Sequence, residues 1–181
     1  RYGQCVKFYN VEVLYADKIA EFKQLLPFAK DPSRTIGTFF RLLIGSLLPN
    51  IKKSIYLDSD IIINLNIDEL WQIELGEKQF AVVPEMQSYV PTNPLHYLCR
   101  EGFVKAEDFF NAGVLLMNLE KLRLEEENLK RGIKFKMEHP DCDGNDQSIL
   151  NYCFSTETVK LPLKFNVLVE YARMNNDFET T

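Results

Sequence analysis

The chain has no Cys-x-x-Cys pair, no long apolar run, no positive excess and no internal repeat. Each absence removes a class of protein. Cys5, Cys99, Cys142 and Cys153 are too scattered for a zinc ribbon or a disulfide framework, so they read as reduced thiols. No apolar stretch reaches the ~18–20 residues of a membrane-spanning helix, and none reads as a secretory leader. A formal net charge of −5 offers no basic footprint for nucleic acid. The chain opens at Arg1 rather than Met, so further sequence upstream is expected.

What is present is an ordinary globular composition. The 181 residues are 46% hydrophobic and 26% charged, which fits a single domain over residues 1–181 with a real core. The charge is uneven: residues 1–57 carry nine Lys/Arg against four Asp/Glu, leaving twelve against twenty-two in residues 58–181. A positive region before an acidic one suits a site for an anion and a metal together, although surface charge drifts along any chain.

Local patterns predict alternating strands and helices, hence an α/β fold. "CVKFY" (5–9) reads as a strand and "ADKIAEFKQLL" (16–26) as a helix. "RTIGTFFRLLIGSLL" reads as a buried helix, with Ser33 as its N-cap and Pro49-Asn50 as its stop. Arg41 within it is either a snorkelling surface residue or a phosphate or sugar contact. "SIYL" and "IIIN" flank two acids as strand segments, and "NIDELW" starts a short helix with Asp68 as a candidate cap. "QFAVVPE" is strand-like. Residues 84–108 are irregular and long enough to suggest a functional loop. "NAGVLLM" is a strand that turns helical from Asn118; "LEEENLKRGIKFKMEH" and "GNDQSILNYCF" are helices; "TVKLPLKFNVL" closes in short strands.

Asp58 and Asp60 interrupt the apolar run "SIYLDSDIII". A buried, unpaired carboxylate is costly, so the two need partners or an exit from the core. If the chain stays extended, residues i and i+2 share a face and both acids can approach one cation. An all-oxygen pair suits Mg²⁺, Mn²⁺ or Ca²⁺ rather than Zn²⁺. The same acids also suit a capped turn. A second copy, Asp141-Cys-Asp143, follows no strand and reads as a turn. It fails as a calcium loop because His139 and Leu150 would fill the first and twelfth positions. A strand ending in Asp-x-Asp also begins haloacid-dehalogenase-like phosphatases. Ile62 stands where that pattern wants Thr or Val, and the chain has no Asp-Asp pair.

Four segments taken in order, "FFRLLIGSLLPNIKKSIYLDSDIIINLNIDELW", "FFNAGVLLMNLEKLR", "DQSILNYCF" and "LPLKFNVL", resemble glycosyltransferase family 8 across roughly residues 35–168. The resemblance implies a retaining hexosyltransferase of GT-A fold, a Rossmann-like mixed sheet flanked by helices. It implies a UDP-sugar donor, glucose or galactose, a glycan or glycolipid acceptor of lipopolysaccharide type, and Mn²⁺ or Mg²⁺. It assigns Asp58 and Asp60 to the metal and donor, and Arg41 to the donor. Asn111 and Ala112 fall to the transferred sugar, and Asp146 and Gln147 lie beside the reacting carbon. Taken singly, Asn111 reads as a turn residue and Gln147 as a cap partner. The family's opening nucleotide-binding strand and its closing His-x-x-Gly-x-x-Lys-Pro-Trp-like segment have no counterpart here, so the domain reads as lacking both termini. His96 and His139 do not fit that closing motif. The expected location is the bacterial cytoplasm, with peripheral contact at the inner membrane as an option. A non-catalytic nucleotide-sugar-binding domain of the same fold is the main alternative.

Overall fold

A computed structural model describes residues 5–25, 36–85 and 96–167. Helices α1 (Val11–Leu14) and α2 (Ala16–Leu25) come first, with Asn10 accepting from the Val13 amide at the first N-terminus. A 3-10 helix (Ile36–Leu43) runs into α3 (Ile44–Leu47), followed by β1 (Lys53–Leu57), α4 (Ile67–Trp71) and β2 (Phe80–Pro84). Then come α5 (Tyr97–Arg100), a 3-10 turn (Ala106–Asp108), β3 (Phe110–Asn118), α6 (Leu119–Leu122) and α7 (Glu126–Glu138). Helix α8 (Asp146–Phe154), β4 (Thr158–Lys160) and a 3-10 turn (Leu163–Phe165) complete the described chain.

The sheet is mixed, in the order β1-β3-β2-β4. Strand β3 runs antiparallel to both β1 and β2, while β4 is parallel to β2. Both faces of β3 are covered, which is why its sequence is an almost unbroken apolar run rather than an alternating one. On one face Phe80, Val82, Leu115 and Met117 pack against Phe39, Leu42, Ile133, Ile149 and Phe154. On the other, Ala81, Val83, Val114 and Leu116 meet Leu70, Leu75 and Leu161. This topology places the carboxyl ends of β1, β2 and β4 beside the amino end of β3. Ligands of open α/β sheets bind at such an edge.

Several expectations are corrected. Residues 5–9 form no strand: Val6 and Phe8 are exposed, and no described strand lies beside them. The segment 61–64 is not a strand either. The Asp58 carbonyl accepts from the Ile61 amide, which turns the chain and leaves Ile62 exposed. The 36–47 helix begins in the tighter 3-10 form; its expected cap, Ser33, lies outside the described residues. Asn66, not Asp68, caps α4, because the side-chain oxygen Oδ1 of Asn66 accepts from the Asp68 amide. Residues 84–108 are less irregular than expected, since β2 extends through Pro84 and two short helical turns follow; residues 86–95 lie outside the described part. After β4 the chain makes a 3-10 turn rather than a further strand. The Asp141-Asp143 segment is a turn, as expected, with Gly144 at φ +65. All four cysteines are free.

Candidate active site

The pairing of β2 with β3 slips at the sheet edge: Val82 faces Leu115, but Pro84 faces Phe110. The intervening stretch of β3, residues 111–114, therefore has no register partner on that side. Its backbone groups must be satisfied in another way, since buried amides and carbonyls do not go unpaired cheaply. Side chains supply the partners. Asn151, fully buried at 0% exposure, accepts from the Phe110 amide at 2.8 Å and donates to the Phe110 carbonyl at 2.8 Å. The Ala112 amide donates to Gln147 Oε1 at 2.9 Å, and Arg41 Nη1 donates to the Ala112 carbonyl at 2.5 Å. The Gly113 amide donates to Asn111 Oδ1 at 2.8 Å. On the β1 side the ladder continues, with the Asp58 amide donating to the Gly113 carbonyl at 2.9 Å.

Arg41 is the centre of this network. Its Nη2 lies 2.8 Å from Asp58 Oδ1, and its Nε lies 2.5 Å from Asp146 Oδ2. The second contact is an ion pair whose groups are not aligned as a hydrogen bond. The guanidinium also sits 4.6 Å from the centre of the Tyr56 ring, and the Tyr56 hydroxyl donates to Asp58 Oδ1 at 2.6 Å. Burial pushes the Tyr56 phenol above its usual range, and the bond to Asp58 adds to this, so the group remains a donor. Burial likewise lifts Asp146 to about 6, against the opposing charge of Arg41 and the amides at the start of α8.

A second chain of contacts runs from Asn111. Its Nδ2 donates to Glu85 Oε2 at 3.1 Å, and its Oδ1 accepts from Asn166 Nδ2 at 2.8 Å. Glu85 is buried, and its other carboxylate oxygen has no hydrogen-bond partner among the described residues. Glu85, Asn166, Asn151 and Tyr56 were not singled out in the sequence. Glu85 had a usable signal, since it ends a strand at the sheet edge as Asp58 does. Asn166 lies in "LPLKFNVL", but nothing in that segment marks it.

Arg41, Asp58, Asn111, Ala112, Asp146 and Gln147 are thus brought into one connected cluster. Asp60 is not. It lies in the turn after β1, exposed, and makes no hydrogen bond or ion pair among the described residues. The extended conformation that would align it with Asp58 is replaced by that turn. No group of three or more His, Cys, Asp or Glu converges among the described residues.

The donor chemistry still fits a hard divalent cation. Asp58 uses Oδ1 for Arg41 and Tyr56, while Oδ2 faces the missing side chain of Gly113, where a Cβ would lie 3.2 Å away. With Asp60 uncommitted, two carboxylates and no nitrogen or sulfur ligand suit Mg²⁺ or Mn²⁺ completed by water and phosphate oxygens. The chemistry such an arrangement can carry out is to hold an anionic group near a cation, beside side chains that bind hydroxyls.

The sequence matches the family described as glycosyl transferase family 8 over residues 2–180. It is 30% identical over 133 residues to glycosyltransferase GlyB of Streptococcus pneumoniae, covering 74% of this chain and 29% of that protein. It is 28% identical over 157 residues to a lipopolysaccharide 1,2-glucosyltransferase of Escherichia coli, covering 80% of this chain and 44% of that protein. Among solved structures, the galactosyltransferase LgtC in complex with donor and acceptor sugar analogues superposes with a TM-score of 0.67 at 27% identity. That match covers 81% of this chain and 52% of LgtC. The chain thus spans less than half the length of these two curated relatives and about half of LgtC. The mixed α/β architecture is that of the GT-A glycosyltransferases. The phosphatase alternative receives no support from these matches.

Proposed function

Since the chain belongs to glycosyltransferase family 8, we propose that it forms the central part of a retaining hexosyltransferase. The enzyme would move glucose or galactose from a UDP-sugar to a glycan or glycolipid acceptor of lipopolysaccharide type, at the cytoplasmic side of a bacterial membrane. Among the described residues no helix is long and apolar enough to cross a membrane. The observation that carries the reading is the single Arg41-centred network, which gathers Asp58, Ala112 and Asp146 at the sheet edge of a family 8 chain.

In the transfer, the bond from the sugar's anomeric carbon to the diphosphate oxygen breaks, with its electron pair leaving on the diphosphate. A bond from the acceptor oxygen to that carbon forms on the same face. The acceptor's proton passes to a phosphate oxygen. Asp58 and Asp60 would hold Mn²⁺ or Mg²⁺, which supplies charge stabilisation to the departing diphosphate. Arg41 adds fixed positive charge beside it. Asp146 and Asn111 suit the binding of sugar hydroxyls, and Gln147 orients Ala112 against the sugar. Asp146 is buried and held by Arg41. This favours front-side attack over a covalent intermediate on its carboxylate.

Calorimetry of UDP with Mn²⁺ tests the reading in the full chain. The wild type should bind, and Asp58→Asn should lose the Mn²⁺-dependent part of binding. Equal binding by both would overturn it. Binding without any UDP release from UDP-glucose or UDP-galactose would mark a nucleotide-sugar-binding domain instead.

A further inference from the structure

Tyr56 and Asp58 stand two residues apart at the end of β1, so their side chains line one face of the sheet. The ladder to β3 keeps the chain extended through both. Tyr56 lies opposite Leu115, and the Asp58 amide still donates to the Gly113 carbonyl. The face they share is the one covered by Phe39 and Leu42. The Tyr56 ring, half-buried, packs against this core. It also carries the Arg41 guanidinium, whose carbon lies 4.6 Å from the ring centre. The ring is therefore fixed from two sides, and its hydroxyl is delivered to one place, 2.6 Å from Asp58 Oδ1.

Two donors converge on Oδ1, the Tyr56 hydroxyl and Arg41 Nη2 at 2.8 Å. Together they choose between the two carboxylate oxygens. A carboxylate gripped by one donor at one oxygen can still turn about its Cβ–Cγ bond, where the torsional preference is broad. Gripped by two donors from different directions, it cannot turn without losing one of them. Arg41 is shared with the Ala112 carbonyl and with Asp146, so its place follows several partners at once. The Tyr56 hydroxyl bonds Asp58 alone among the described residues. Oδ2 takes no hydrogen bond among those residues and is left on the side of Gly113, where no Cβ stands in its way.

We propose that Tyr56 is a positioning residue: its hydroxyl locks the Asp58 carboxylate so that Oδ2 alone is presented to the divalent cation that binds with the donor diphosphate. The part played by the cation rests on the function proposed above; the locking of Asp58 does not. In this role Tyr56 touches neither the cation nor the sugar and acts through Asp58. Partners that orient a metal-ligating side chain set metal affinity by about ten- to a hundredfold.

Tyr56→Phe removes the hydroxyl and keeps the ring against Arg41. In the full chain, calorimetric titration of Mn²⁺ in the presence of UDP should show about tenfold weaker Mn²⁺ binding in the Phe variant, with UDP binding in EDTA within about twofold of wild type. A crystal structure of the metal-free Phe variant should show the Asp58 carboxylate rotated or divided between two conformers. Unchanged Mn²⁺ affinity would overturn the proposal, as would an Asp58 carboxylate left in its wild-type position. A loss of UDP binding as large in EDTA as with Mn²⁺ would overturn it too, because the hydroxyl would then hold the site as a whole rather than aim one oxygen. If the wild type binds no Mn²⁺ with UDP present, the proposed function fails instead, and the crystal structure alone decides whether Tyr56 locks Asp58.

Discussion

Arg41 Nε and Asp146 Oδ2 stand 2.5 Å apart, with only 9% and 5% of their side chains exposed. The pair joins the 3-10 helix to the start of α8 across the sheet edge. Removing one member of such a pair leaves a charge in a place that water reaches poorly, and costs about 3–5 kcal/mol. Arg41→Met should therefore lower stability by about that amount at pH 7.5 in urea titrations. The loss should be smaller at pH 5, where Asp146 takes up a proton and becomes neutral. Arg41→Lys should recover little. One ammonium cannot place donors on Asp58, Asp146 and the Ala112 carbonyl from the positions of a planar guanidinium.

The raised pKa of Asp146 sets a sign for the pH dependence. Between its unfolded value of 3.8 and its folded value of about 6, the native state binds more protons than the unfolded state. Stability must then fall as pH rises through this window, by about 3 kcal/mol for a shift of this size. Asp146→Asn should flatten the slope between pH 4 and 6 whatever its effect on absolute stability. The check is a series of urea melts at half-unit pH intervals; a slope that persists unchanged would assign the titration to another group.

Gly113 has no side chain where Asp58 Oδ2 and Asn111 Oδ1 come close. A Cβ would lie 3.2 and 3.0 Å from them, tighter than ordinary contact, so the Asp58 carboxylate and the Asn111 amide must give way. Gly113→Ala should shift Asp58 and reduce Mn²⁺-dependent UDP affinity by about tenfold, worth ~1.4 kcal/mol. The fold should survive, because neither neighbouring atom belongs to the backbone. Calorimetry with and without Mn²⁺ separates the effect on metal-assisted binding from a general loss of affinity.

Features carried by runs of residues were legible in the sequence. The apolar run "NAGVLLM" announces a strand buried on both faces, and "SIYL" ending at Asp58 announces an acid at a sheet edge. The geometry beyond that edge was not. Whether Asp60 shares a face with Asp58 depends on one backbone turn closed by the Ile61 amide, and residue spacing alone assumes the extended form. The slipped pairing of β2 with β3 is a relation between distant segments, with no local signature in either. Within that slip, Gln147 and Arg41 become partners of the Ala112 main chain. The strand expected at residues 5–9 failed for the opposite reason: local propensity was present, but no described strand lies beside it to complete a ladder.

Asn151 gives the sharpest test of whether side chains hold the start of β3 in place. Its amide donates to the Phe110 and Gln147 carbonyls and its oxygen accepts from the Phe110 amide, all at 2.8 or 2.9 Å. Asn151→Ala would leave the Phe110 amide and carbonyl buried without partners, at about 1–3 kcal/mol for each group. A total loss of about 2–5 kcal/mol is expected in urea unfolding. Asn151→Asp should be worse at neutral pH. It keeps the acceptor for the Phe110 amide but sets a carboxylate oxygen against two carbonyls in a site closed to water. The Asp variant should regain stability as the pH is lowered, since a protonated carboxyl can again donate to one of them. If Asn151→Ala costs less than about 1 kcal/mol, the Phe110 backbone must find other partners, and the side chain is not what holds the start of β3 in place.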